Sequence, residues 1–144
     1  MRVMVIMKAS KESEAGIMPT EQDFSRMGDF NEQLVKAGVL QGADGLKASS
    51  HGKRIRFEGT RQTVIDGPFA ETKELVAGYW IWQVKSMDEA VEWAKKIPSI
   101  GVRPGEAWEV EIRPFFEVED FGDALTPEHL ERVERMRAEG ARKQ

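Results

Sequence analysis

The sequence contains no cysteine among its 144 residues, and this absence excludes several chemistries at once. Without a thiol there is no disulfide, no thiolate nucleophile and no cysteine-based zinc or iron–sulfur site. Histidine is nearly as scarce, because the chain has only His51 and His129, which lie far apart and match no metal-binding spacing. We therefore expect no metal centre and no tightly held cofactor.

The chain also lacks a long hydrophobic run and an excess of positive charge. Its first apolar run extends only from Val3 to Met7, whereas a membrane-spanning helix needs about 20 apolar residues. The same run is too short for a signal peptide, which predicts a cytoplasmic protein. With 25 acidic and 21 basic residues the formal charge is −4, so the sequence predicts no direct nucleic-acid partner and no membrane association.

What the sequence does contain is a regular succession of strand-like and helix-like segments. The apolar and capping patterns predict a strand over Arg2–Lys8, a helix over Glu21–Ala37, a strand opening at Val39 and breaking into a turn at Gly42, an alternating pair of strands in RIRFEG and QTVID, a strand over Leu75–Val84, a helix from a Ser86 cap to Pro98, a strand over 108–113 and a tail helix after Thr126.

This order predicts an α+β fold of the ferredoxin-like type, an antiparallel sheet with two helices on one face. We assign residues 1–116 to this domain and residues 117–144 to a C-terminal extension with a helix. The tail helix carries only a narrow apolar stripe, so we expect it to dock on the body of the protein or on a second chain.

The strand Leu75–Val84, with the sequence LVAGYWIWQV, is apolar on both faces and must be covered on both. Two helices cover one face of the sheet. We expect Trp80 and Trp82 to lie on the other face, against a second sheet or a ligand. A symmetric homodimer that packs sheet against sheet is the simplest arrangement that covers this face.

The stretch VIDGPFAETKE, Val64 to Glu74, holds the candidate catalytic residue, Asp66. Gly67 and Pro68 fix the chain after it, which is typical of a rigid turn in which Asp66 caps backbone N–H groups. The same rigidity would suit a general base held beside an apolar sheet. Both interpretations of Asp66 stay open from the sequence.

The candidate ligand-binding residues follow Asp66 directly. Glu71 and Lys73 form either a solvated surface turn or part of a site for a small polar or anionic compound. Tyr79, Trp80 and Trp82 are explained by core and dimer packing, or by the wall of a pocket that stacks an aromatic ligand.

The combination of DGPFAETKE with the aromatic strand GYWIWQV resembles the YCII-related family, and in particular its DGPF-domain group. The resemblance covers residues 1–116 and implies a dimeric α+β barrel. The resemblance implies a relation to a wider superfamily of small lyases, isomerases, dehydrochlorinases, monooxygenases and haem enzymes. It also implies an acid/base pair made by a histidine on the first helix and an aspartate near the following strands. Here Met27 lies about where that histidine would fall. Proteins of the DGPF-domain group are described as neighbours of extracytoplasmic-function sigma factors, so the resemblance also implies a regulatory setting.

Two functional hypotheses follow. In the first, the protein binds a small molecule near the DGPF corner and acts on it as a lyase or isomerase, with Asp66 as the base. In the second, it is a non-catalytic dimeric sensor or accessory module linked to transcriptional regulation, whose C-terminal helix meets a protein partner. An enclosed cavity next to Asp66 would favour the first.

Overall fold

The computed structural model describes all residues, 1–144, as two compact units, Met1–Pro114 and Phe115–Gln144. The first unit contains β1 (Arg2–Lys8), α1 (Lys11–Glu14), α2 (Glu21–Lys36), β2 (Leu40–Gly45), β3 (Lys53–Glu58), β4 (Arg61–Asp66), β5 (Val76–Gln83), α3 (Met87–Ala94) and β6 (Val110–Pro114), and the second contains α4 (Pro127–Arg142). Short 3₁₀ turns occupy Ser49–His51, Thr72–Glu74 and Val118–Ala124. No helix is both long and apolar enough to cross a membrane.

A four-stranded antiparallel sheet in the order β2-β5-β1-β6 forms the centre of the first unit. Strand β5 lies between β1 and β2, and β1 lies between β5 and β6, so the connections through α2 and α3 each cross over one strand. This order and connectivity confirm the predicted ferredoxin-like α+β fold.

The hydrophobic core lies between one face of this sheet and helices α2 and α3. Side chains that alternate along β1 and β5 bury against Phe30 and Leu34 of α2 and Ala90 of α3. Fully excluded members such as Leu34 each stabilise the fold by about 1.5–3 kcal/mol through burial alone.

The structure corrects the predicted placement of the two tryptophans. Trp80 and Trp82 lie on the helix-covered face, where the Phe30 ring meets Trp80 edge-on with centroids 6.0 Å apart. Both faces of β5 are apolar, so the sequence did not specify which one the helices cover. The opposite face, which we call the helix-free face, carries Met4 and Ile6 of β1 beside Ile81 of β5.

Helix α2 begins where its capping residues predict. The Thr20 hydroxyl accepts the N–H of Asp23 at 3.1 Å, and the Asp23 carboxylate accepts the N–H of Thr20 at 3.1 Å. The bond from the Thr20 backbone, then the one from Arg26, hold the pKa of Asp23 below its ordinary value of 3.8. The ionised Asp23 carboxylate therefore stabilises the fold when the pH is above 3.8, and this stabilisation is lost as the pH falls through the lowered pKa.

Two local predictions were wrong. Strand β2 does not break at Gly42 but continues to Gly45, because backbone bonds to β5 hold GADG extended after a bulge near Gln41. The segment predicted as a loop after β1 contains α1, which Ser10 caps with Ser13 in a reciprocal pair. The predicted pair of alternating strands is confirmed as β3 and β4, which pair only with each other in a separate two-stranded sheet.

Candidate functional site

The DGPF corner ends β4 and packs against the 3₁₀ turn Ser49–His51. A Cβ on Gly67 would lie 1.8 Å from the carbonyl oxygen of Ser49, so only glycine allows this approach. The Gly67 N–H donates to the Gly52 carbonyl at 3.1 Å, and the bond from Gly67 to Pro68 is cis. The contacts of Gly67 with Ser49 and Gly52 therefore hold the DGPF corner against this turn, and we call them the backbone clamp.

A hydrogen-bond chain fixes the same corner to α1. The Phe69 N–H donates to Ser49 Oγ at 3.0 Å, and Ser49 Oγ donates to Glu14 Oε2 at 2.5 Å. Glu14 Oε1 accepts the Ser49 N–H at 2.9 Å, while the Arg54 guanidinium lies 4.0 Å above the Phe69 ring. Two segments distant in sequence are thus joined through one serine.

Asp66 precedes this clamp but is not enclosed by it. Its side chain is 74% exposed and forms an ion pair with Lys53 on the neighbouring strand. It lines neither the cavity beside α2 nor the one at the end of β1. The predicted capping of backbone N–H groups is not among its contacts, and its role as a general base stays a prediction.

A cavity of about 300 Å³, which we call the α2 cavity, lies between α2 and the β2–β5–β1 part of the sheet. This volume is at the lower end of the range of small-molecule sites, about 300–1,000 Å³. Its lining is mostly apolar and consists of Met7, Phe24, Met27, Asn31, Ala43, Asp44, Gly45, Ala77, Gly78, Tyr79 and Trp80.

The polar groups around the α2 cavity are few and already paired. Asn31 Oδ1 accepts the Trp80 indole N–H at 2.8 Å, which orients the indole and leaves the Asn31 amide NH₂ as a donor. The Tyr79 hydroxyl donates to Asp44 Oδ2 at 3.3 Å. Because side chains alternate along a strand, Tyr79 and Asp44 lie on the face of the sheet opposite Trp80. The helix side of the cavity therefore holds no ionisable group.

The predicted ligand-binding residues are divided among different places. Tyr79 and Trp80 border the α2 cavity, but Trp82 is fully buried in the core. Lys73 lines a second cavity near the end of β1. Glu71 precedes it with φ 64°, a left-handed conformation that is uncommon for a residue with a Cβ. These residues therefore do not form one site with Asp66.

Sequence analysis missed the α2 residues that build the cavity. Phe24 and Asn31 were not singled out, and Met27 was noted only as the position where the histidine of relatives would fall. One signal was available in the sequence: Phe24, Met27 and Asn31 recur at intervals of three and four residues, which puts them on one face of the helix. No group of three or more histidine, aspartate or glutamate side chains is placed to hold a metal ion.

Comparison with known proteins agrees with this architecture. Residues 1–116 match the family model of the YCII-related domain. The chain belongs to the YCII-related family. An uncharacterised protein of Rhizobium meliloti (strain 1021) is 30% identical over 106 residues, which cover 72% of this chain and 83% of that relative. The part of the chain that matches the family model contains both cavities and the DGPF corner but does not include α4.

Proposed function

We propose that this YCII-related protein binds a small, neutral and mostly apolar molecule in the α2 cavity. The observation that carries the proposal is a space of about 300 Å³ walled by methionine and aromatic side chains. Methionine side chains adapt to ligands of different shape, and Trp80 offers a ring against which a planar molecule can stack.

The polar groups favour binding over acid–base chemistry within this cavity. The Asn31 amide can donate one hydrogen bond to a carbonyl or hydroxyl of the ligand while its oxygen holds Trp80. No carboxylate or histidine side chain lies on the helix side of the cavity, and Met27 stands on its wall instead. A ligand with one polar acceptor and an apolar body is therefore the best match.

Titration with naphthalene, a neutral planar probe, tests this proposal. Met27→Trp adds volume inside the cavity, and we expect it to weaken binding at least tenfold. Ala43→Phe closes the opposite wall and serves if Met27→Trp folds poorly. Binding can be followed by isothermal calorimetry and by the NMR signal of the Trp80 indole N–H.

The matched control is Val35→Trp, because Val35 lies on the same helix but is 61% exposed and lines neither cavity. It should bind naphthalene as the unmodified protein does. Equal affinity for Met27→Trp, Ala43→Phe and the unmodified protein would contradict the proposed site.

We also propose that a second copy of the chain covers the helix-free face, as the sequence predicts. Met4 and Ile6 stand beside Ile81 on this face, and α2 and α3 pack on the other one. Ile6→Glu should convert a dimer to a monomer in analytical ultracentrifugation, whereas Val35→Glu on α2 should not. A monomer at all concentrations before mutation would refute this assembly.

A further inference from the structure

The second cavity, which we call the lysine cleft, has a volume of about 190 Å³ and shares only Met7 with the lining of the α2 cavity. Its walls come from the end of β1, the start of α1, the 3₁₀ turn Thr72–Glu74 and the loop before β6. The polar residues that matter for binding are Lys8, Ser10, Lys11, Thr72 and Lys73.

Contacts between these segments hold the lysine cleft in place before any ligand binds. The Ala9 N–H donates to the Leu75 carbonyl at 2.8 Å, which fixes the end of β1 beside the turn that carries Lys73. On the other side, Arg103 Nε donates to Glu12 Oε1 at 2.9 Å and ties the loop to α1. A preformed cleft binds a small ligand without first having to order its walls.

The charges on the lining favour an anion. Lys8 Nζ lies 3.7 Å from Glu111 Oε1, which is a long ion pair, and Lys73 forms no salt bridge. Lys11 forms no salt bridge either, although it attracts Glu12 electrostatically. An ammonium group without a paired carboxylate is a natural partner for a carboxylate or phosphate.

Two glutamates limit how much negative charge the ligand can carry. Glu106 and Glu109 also line the cleft, so its three lysines and two glutamates sum to a formal charge of +1. Glu106 is held by its own loop, where it accepts the Arg103 N–H at 3.2 Å. A single negative charge is matched by this lining, while a dianion would meet repulsion from the glutamates.

Hydroxyl donors and an apolar wall complete the lysine cleft. Ser10 Oγ accepts the Ser13 N–H at 3.1 Å, and its own proton remains free to donate. Thr72 supplies a second hydroxyl, and Ile100, Val102 and Trp108 supply apolar surface. The cleft thus offers donors for an acid group and a wall for a hydrophobic body.

We propose that the lysine cleft is a second binding site, for a small organic acid with one carboxylate and a compact apolar body. Lys11 and Lys73 bind the carboxylate, Ser10 and Thr72 donate hydrogen bonds to it, and Trp108 packs on the apolar part. This site is separate from the α2 cavity, so it stands or falls independently of the proposed function.

Benzoate and its neutral counterpart benzamide are matched probes, because they differ mainly in the charge. We expect benzoate to bind at least tenfold more tightly than benzamide at low salt, with a change in Trp108 fluorescence that disappears in Trp108→Phe. Rising salt should weaken benzoate binding, since it screens exposed lysines. Equal binding of the two probes would overturn the proposal.

Lys73→Gln and Lys11→Gln should each weaken benzoate binding at least fivefold, and Lys85→Gln should leave it unchanged because Lys85 lines neither cavity. Thermal unfolding shows whether each variant folds, and two lysine variants guard against the loss of one. Equal losses in Lys73→Gln and Lys85→Gln would show nonspecific attraction and refute the site.

Two further experiments test whether the ligand is a monoanion and whether it binds in the lysine cleft and not in the α2 cavity. Inorganic phosphate should compete poorly, and phosphate binding tighter than benzoate would refute a site for a monoanion. Met27→Trp should weaken naphthalene binding at least tenfold yet retain benzoate binding. Loss of benzoate binding in Met27→Trp, with retention in Lys73→Gln, would place the acid in the α2 cavity and overturn the lysine cleft.

Discussion

Val5 and Trp82 in the four-stranded sheet are completely buried, whereas every residue of β3 and β4 is exposed. Both sheets are antiparallel and both contain β-branched and aromatic side chains. Only the larger one has helices packed on it, through Phe30 and Leu34. The comparison shows that strand-forming residues define a sheet, while the partner layer decides how much that sheet contributes to stability.

The position of the smaller sheet depends on contacts at the end of β4 and not on a buried core. Its apolar side chains remain accessible, with Phe57 68% and Val64 61% exposed. At the end of β4, Gly67 approaches the backbone of Ser49 and Phe69 bonds to the Ser49 hydroxyl. A short backbone clamp therefore positions a hairpin that has little buried surface of its own.

Replacing one aromatic side chain in each sheet should give the largest contrast. Trp82→Ala should lower the free energy of unfolding by about 3–5 kcal/mol, because it leaves a large cavity in the core. Phe57→Ala should change it by less than about 0.5 kcal/mol, as expected for an exposed site. Urea denaturation measures both, and similar losses would mean that the hairpin contributes to a buried core.

The clamp gives the next largest effect. Gly67→Ala should cost about 1–3 kcal/mol, because the new methyl group collides with the Ser49 carbonyl and the backbone must shift. Gly28→Ala is the matched control, since Gly28 lies inside α2 with open space around it and should gain up to about 1 kcal/mol. A neutral Gly67→Ala would show that the hairpin base is not tightly held.

The turn after the clamp contains a strained residue, and relieving the strain should raise stability. Glu71→Gly should increase the free energy of unfolding by about 1 kcal/mol, because Glu71 is left-handed and glycine adopts this conformation without a steric penalty. Glu74→Gly should lower it, as Glu74 is in the regular 3₁₀ turn. If both variants are destabilised, Glu71 forms contacts that outweigh its strain.

The sequence predicted much of the larger sheet because capping and periodicity act locally. Thr20 and Ser86 accept the backbone N–H groups three residues on, and the strand over Arg2–Lys8 was predicted with its observed bounds. The face that carries Trp82 could not be predicted, since both sides of β5 are apolar and only packing against α2 distinguishes them.

The candidate site was less predictable because its parts come from distant segments. The α2 cavity joins Met27 to Ala43 and Trp80, and the lysine cleft joins Lys11 to Lys73. Each residue alone fits an ordinary core or surface role. These residues lie close together only because of the order of the strands in the sheet. That order is a property of the whole fold and cannot be inferred from any one segment.

Asp66 is the last residue of β4, and its replacement should have the smallest effect on stability. Asp66→Asn removes an ion pair with Lys53 in which both side chains are mostly exposed, so the change should be below about 1 kcal/mol. Lys53→Gln should have a similar effect. A double-mutant cycle in urea then gives the coupling between them, and a coupling well above 1 kcal/mol would contradict this estimate.

The same variant tests the catalytic hypothesis. A general base must reach the proton that it abstracts, but Asp66 lines neither cavity. We therefore expect Asp66→Asn to bind naphthalene and benzoate as the unmodified protein does. A loss of either ligand, with Lys53→Gln unaffected, would show that the Asp66 carboxylate itself contacts the ligand and would return the hairpin to the functional site.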